Sequence, residues 1–272
     1  MKRIAICIDD YGLHPAVDDA VLRLVEEGRV TATSCMVGAP AWAQDAPRLK
    51  PLFEAGRVDA GVHMDFTEYP IDASMRRPLN AWMVETVLHR VDVDAIRREI
   101  RLQLDRFEQA MGRAPAHVDG HQHVHQFPVV RDVLVEELER RYGSSKRPWL
   151  RSTNGAARWR LKGRVIEAMG ARALARLAQE HGFAQNRTLL GVYDFAGGAP
   201  RFRSLLQMWL ARAEDGDLLM CHVATGDVPG DEIAAARVDE FEVFSQDGFD
   251  GLVADAGVTV APMTSILARA EG

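Results

Sequence analysis

Short apolar runs alternating with amphipathic segments constrain this chain more than any other feature. The first run, Ile4-Ala5-Ile6-Cys7-Ile8, stops abruptly at Asp9-Asp10-Tyr11-Gly12. A run of this length, rich in Ile and closed by Gly, predicts a buried strand. Val17, Ala20, Val21, Leu24 and Val25 then recur at helical spacing. Pro15 suits the first turn of that helix, Asp18 and Asp19 the positive end of its dipole, and Gly28 its stop. Residues 31–37 predict a second strand, 41–54 a helix and 57–63 a third strand. This alternation is the pattern of a parallel α/β sheet.

The rest of the chain continues the pattern with one interruption. Residues 65–93 show no sustained period and carry Tyr69, Arg76, Arg77, Trp82 and Met83. A segment of this kind inside a compact domain predicts an active-site loop or lid. Tyr69 and Trp82 there either stack on a sugar ring or anchor the loop to the core. Asp94 is expected to cap a long helix through Met111, stopped by Gly112. Further strands are expected at 115–120, 149–152, 188–193, 217–222 and 258–262, with helices at 129–142, 204–213 and 231–245. Residues 156–182 read as helical and basic, with Arg158, Arg160, Lys162 and Arg164 close together, a solvated face in the first instance. No repeat or linker divides the 272 residues, so one domain spanning 1–272 is expected.

Composition narrows the function. A net charge of -6 offers no general attraction to nucleic acid or anionic membrane. No apolar run approaches the roughly 20 residues that span a bilayer, and the first run ends too early for a signal peptide. Cys7, Cys35 and Cys221 are isolated in apolar contexts without zinc or redox spacing. A cytoplasmic enzyme is the expectation.

The chemistry lies in where the polar residues fall. Asp9, Asp10, His63, His121, Arg151, Tyr193 and His222 each stand at or just past the C-terminal end of an expected strand, the rim where parallel α/β proteins build active sites. Asp9 and Asp10 taken alone are an ordinary loop start. Together with His residues on other strand ends they predict a cation or a shared proton between the carboxylates. Two His and one Asp would leave open positions for water and suit magnesium, manganese or zinc. In His121-Gln122-His123-Val124-His125, an extended chain would put three histidines on one face beside Asp119.

Asp9-Asp10-Tyr11-Gly12, Val30-Thr31-Ala32-Thr33-Ser34, Gly61-Val62-His63-Met64-Asp65-Phe66-Thr67 and His117-Val118-Asp119-Gly120-His121-Gln122-His123-Val124-His125 resemble, in order, the motifs of the YdjC/ChbG-type carbohydrate deacetylases. That family includes deacetylase-like members associated with hopanoid biosynthesis. The likeness extends through Leu219-Met220-Cys221-His222 and Arg237-Val238-Asp239-Glu240. It implies a single-domain, distorted (β/α) barrel, TIM-barrel-like, with about seven parallel strands. It also implies metal-dependent hydrolysis of an N-acetyl group on an amino sugar or sugar conjugate by attack of metal-bound water. By position Asp10, His63 and His121 match the family's metal ligands, with magnesium first and zinc or manganese as alternatives. Asp9 matches its general base. His222, and after it His125, are the candidate acids for the leaving amine; Arg151, Tyr193 and Trp82 are the candidate substrate contacts, Arg151 alternatively holding a site carboxylate. The expected partners are a small carbohydrate and a second copy in a homodimer, with no nucleic acid and no integral membrane segment.

Four positions depart from the family pattern: Tyr11 for Phe, Asp65 for Asn, and Val223-Ala224 for Pro-Gly after His222. Competing readings keep the site but change the reaction, to another amidase or a phosphoesterase that uses the basic run, or remove catalysis and leave a metal- or sugar-binding protein.

Overall fold

The computed structural model describes residues 2–143, 147–156 and 161–268. Its centre is β1 (Lys2–Tyr11), buried from Ile4 onward. Parallel neighbours flank it: β2 (Ala32–Cys35), then β3 (Asp59–Met64), β4 (His117–Gly120) and β5 (Trp149–Leu150) on one side, β7 (Leu218–Cys221) and β6 (Leu189–Leu190) on the other. The eighth strand, β8 (Val258–Val260), pairs with the first residues of β1. The sheet curls until Leu150 bridges to Gln185 in parallel register, which makes it an open, barrel-like α/β sheet.

Helices surround it. They are α1 (Pro15–Glu26), α2 (Trp42–Glu54), α3 (Leu79–Val87), α4 (Val93–Met111), α5 (Val130–Tyr142), α6 (Leu161–Ile166), α7 (Arg172–Glu180), α8 (Gly198–Arg212), α9 (Ala234–Ser245), α10 (Phe249–Asp255) and α11 (Met263–Ala268). No helix among the described residues is long and apolar enough to cross a membrane.

Strand alternation decides what faces inward. Ile4, Ile6 and Ile8 join the large core under the helices, whereas Ala5 and Cys7 join a small inner cluster with Ala32, Trp149, Leu218 and Met220. Gly61 also belongs inside, because a Cβ there would meet the His117 ring at 2.4 Å. Extending each inner row by two residues, to the C-terminal rim, reaches Asp9, Ser34, His63, Asp119, Arg151 and His222. The inner face is mainly apolar below, with His117 beside Gly61, and polar at the top.

Several boundaries differ from the sequence expectation, each for a visible reason. Only Trp149–Leu150 pairs as β5, because Asn186 takes over: its side chain accepts from Ser152 N at 2.7 Å and donates to Ser152 O at 3.0 Å. β6 breaks at Gly191, whose φ of +94° carries its backbone against Met220 O where a Cβ would come within 2.0 Å. Asp92, not Asp94, caps α4, its carboxylate accepting from Asp94 N and Ala95 N. α10 was not expected, and the stretch 65–92 holds a helix of its own, α3. Of the basic run, Arg158 and Arg160 lie outside the described residues, as does the side chain of Lys162.

Candidate active site

Asp10 is the residue that strand alternation alone would misplace. In a regular strand it would point away from Asp9. Instead its φ is +72°, and the β1–β2 register steps from Ile8↔Thr33 to Tyr11↔Cys35, three residues against two. This is a β-bulge, a device that re-aims a side chain beside active sites. Both carboxylates thereby reach the same end of the sheet, and both line a cavity of about 1100 Å³.

The turn beyond it rests on a buried acid. Gly12 N donates to Asp18 Oδ1 at 2.6 Å, and Tyr11 OH donates to the backbone oxygen of Asp45 at 2.7 Å. Asp18 Oδ2 and Asp45 Oδ2 are buried without any other partner. Burial, then the neighbouring Asp45 carboxyl, pushes Asp18 up to about 8, so Asp18 keeps its proton at neutral pH. The folded chain therefore keeps a proton that the unfolded chain gives up above its ordinary 3.8. The Asp18 contribution to stability therefore falls as pH rises between about 4 and about 8. Asp18→Asn keeps an acceptor for Gly12 N and a donor for Asp45. We expect its melting temperature to gain on that of the wild type as pH rises from 5 to 8; a difference that does not change with pH would exclude this source.

At the rim the charges alternate in sign along one connected chain. Both Arg151 terminal nitrogens donate to Asp9 at 2.6 Å, and Arg151 Nη2 lies 2.6 Å from Asp119 Oδ2. Ser34 Oγ donates to Asp119 Oδ2 at 2.7 Å. His63 Nδ1 donates to Asp119 Oδ1 at 2.6 Å, which leaves Nε2 facing Asp10 Oδ1 at 3.4 Å. His121 Nδ1 lies 3.0 Å from the same Asp10 oxygen, while its Nε2 meets Glu68 Oε1 at 3.1 Å. Arg237 Nη2 donates to the other Asp10 oxygen, Oδ2, at 2.7 Å.

Burial alone would push these carboxyls up and neutralise them. The guanidinium of Arg151 beside Asp9 and Asp119, and that of Arg237 beside Asp10, outweigh burial and hold all three below the usual carboxylate range. Burial works the other way on His63, but Asp119 and Asp9 raise it to about 9. Removing one partner from a buried pair of this kind costs about 3–5 kcal/mol, so the chain is structural as well as chemical.

Among the described residues, two triplets bring donor atoms within 4.8 Å of one another: Asp10, His63 and His121, and Asp9, His63 and Asp119. The second has a guanidinium bound to both of its carboxylates, a poor place for a cation. The first fits one. Its Asp10 Oδ1 and two ring nitrogens converge, and the opposite nitrogen of each imidazole meets a carboxylate, Asp119 or Glu68, as outer partners of metal-bound histidines do.

Among the other expected site residues, His222 and Tyr193 line the cavity. Burial lowers His222 to about 4. Three residues do not line it. His125 is fully buried and donates from Nε2 to Arg151 O at 3.2 Å, because the segment His121–Gln126 is a 3-10 turn with left-handed Gln122 and His123 rather than an extended strand. The three histidines therefore do not share a face. Trp82 is 2% exposed and donates to Phe66 O, so it anchors the loop instead of stacking on substrate. Arg151 is spent on Asp9 and Asp119. The Asp65 charge is likewise absorbed by the loop, accepting from Thr67 N and Tyr69 N.

Glu68, Arg237 and Glu240 were not assigned roles from sequence. For the last two a signal existed: they fall in the stripe of α9 that holds Ala236, Val243 and Phe244, charged residues at core positions.

The family model described as YdjC-like protein matches residues 3–255. A Mus musculus protein named carbohydrate deacetylase is 30% identical over 150 residues, which cover 50% of this chain and 47% of that protein. The chain thus spans about half the length of the first curated relatives it matches. A chitooligosaccharide deacetylase from Enterobacter sp. (strain 638) is 25% identical over 267 residues, 94% of this chain and 96% of that one. Among solved structures, a protein from Enterococcus faecalis V583 whose proposed role is cellobiose-phosphate cleavage superposes with a TM-score of 0.73 at 21% identity, over 97% of this chain and 98% of that chain, a likeness of fold.

Proposed function

The chain belongs to the YdjC-like protein family, and on that footing we propose that it is a metal-dependent carbohydrate deacetylase, hydrolysing the N-acetyl group of an amino sugar or sugar conjugate. The observation that carries this is the convergence of Asp10, His63 and His121 beside an arginine-held Asp9 on the floor of one open cavity. The names carried by the relatives point to the same substrate class.

Asp10, His63 and His121 would hold the cation. Two imidazoles favour zinc or manganese; magnesium, which prefers oxygen, would depend on added waters. Bound there, a divalent ion supplies Lewis acidity toward the amide carbonyl and makes water more acidic. Asp9 is the base. Arg151 uses one lone pair on each of its oxygens and keeps it ionised, and the remaining lone pairs can take a proton from the attacking water. The new bond is C–O, the broken bond C–N, and the departing nitrogen needs a proton. His222, neutral at rest, is the group on the cavity wall that can pass it on after receiving it from the site. Tyr193 supplies wall rather than chemistry, since its hydroxyl donates to Glu240.

For a phosphoesterase, Glu232 on the cavity wall would repel a phosphate, while Glu68 and Asp231 there are paired with His121 and Arg237. In this reading the enzyme works in the cytoplasm, in keeping with three buried free thiols.

The test is product analysis. Incubation with N-acetylated chitooligosaccharides should release acetate and a free amine, stop on chelation and resume when zinc, manganese or magnesium is restored. Phosphate release from phosphomonoesters instead, or no acetate from protein loaded with one metal per chain, would overturn the proposal.

A further inference from the structure

We propose that Glu240 is a positioning residue for this reaction, a buried carboxyl on α9 that sets where the His222 imidazole stands on the cavity wall. The inference rests on the deacetylase reading and on His222 as its proton donor.

Three observations carry it. Glu240 is completely buried and does not line the cavity, so it cannot touch substrate. One oxygen, Oε2, accepts from His222 N at 2.8 Å; the other, Oε1, accepts from Tyr193 OH at 2.6 Å. His222 is the first residue beyond β7, where the strand ladder no longer uses its backbone N–H, and Tyr193 follows the neighbouring β6. A single carboxyl therefore ties together the ends of two adjacent strands at the point where the ladder releases them. The third observation is Phe195. Its φ of +57° is an uncommon conformation for a bulky residue, and it presents the ring edge-on to His222 at 5.2 Å between centroids. His222 is held from below through its backbone and from the side through its ring. Burial also pushes Glu240 up to about 8, which makes the neutral glutamine a close substitute at neutral pH.

The experiment compares Glu240→Gln, Glu240→Asp and Glu240→Ala in acetate release from an N-acetylated chitooligosaccharide. Glutamine reaches both partners, its Oε1 accepting from His222 N and its Nε2 donating to the Tyr193 hydroxyl oxygen, and should retain most of the turnover. Aspartate keeps the acid but is one methylene short, and alanine removes both bonds. Each should lower kcat by about 10- to 100-fold, the scale of an ångström-sized misplacement, with KM and metal content within about twofold. In a His222→Ala background, Glu240→Ala should cost nothing further, because the residue acts through His222. An additive loss in that background overturns the inference, as does an unchanged kcat for Glu240→Asp, or a Gln variant that fails where Asp succeeds. If the alanine variant does not fold, the Gln–Asp comparison decides alone. Wild-type protein that releases no acetate removes the proposed function itself; wild-type turnover with an unaffected Asp variant removes only the role of Glu240.

Discussion

Asp9→Asn is expected to bind its metal as the wild type does and to lose turnover by about 10²- to 10⁴-fold, the range that positioned general bases contribute. The two halves of that expectation come from different contacts. Metal binding rests on Asp10, His63 and His121, and Asp9 stands outside that triplet with its oxygens facing Arg151. An asparagine still accepts from one Arg151 nitrogen, so the guanidinium stays near Asp119 and His63 keeps its outer carboxylate. What disappears is the only charge in that position able to take a proton from water. Metal content and kcat measured on the same preparation check it. Retained turnover sinks the assignment of Asp9 as base, and lost metal makes it part of the cation site.

His121→Ala is expected to weaken metal binding by more than about 100-fold, beyond the 10- to 100-fold typical of losing an outer-shell partner, and to abolish turnover while melting close to the wild type. His121 is the better choice of the two histidines. It stands at the cavity edge with its side chain 13% exposed, and its removal leaves Asp10 still paired with Arg237 at 2.7 Å. His63 is 2% exposed and donates to buried Asp119, so its loss disturbs the charged chain beneath the site as well. Calorimetric titration with zinc or manganese, with a melting curve beside it, reads both quantities. Stoichiometric metal at wild-type affinity in His121→Ala would exclude it as a ligand.

These two variants separate what was legible in the sequence from what was not. The parallel alternation was legible because periods of 2 and 3.6 are written directly into the apolar residues, and β1 to β4 and α1, α2, α4 and α5 follow them within a few residues. The rim residues were legible for a related reason: each stands at or just past the end of an expected strand. Boundaries failed where a side chain replaced the ladder, as Asn186 does beyond β5, or where a glycine left it, as at Gly191. Trp82 could not be placed because an aromatic side chain in an irregular segment carries no period; its indole N–H finding Phe66 O is a long-range contact. His125 was misplaced because alternation presumes an extended backbone, and the left-handed Gln122 and His123 curl it into a turn.

The sequence by itself determined the sheet, its inward rows and the collection of Asp and His at strand ends, because local periodicity sorts residues by face. Which nitrogen meets which oxygen was decided only by tertiary structure. A β-bulge at Asp10 cancels the alternation that would have separated it from Asp9, and Arg151 and Arg237 arrive from residues 142 and 227 positions away to hold the two carboxylates apart in role. Those distances in sequence leave no local pattern to read. The buried charges, needing partners wherever the chain can bring them, fixed the arrangement once the sheet had closed around them.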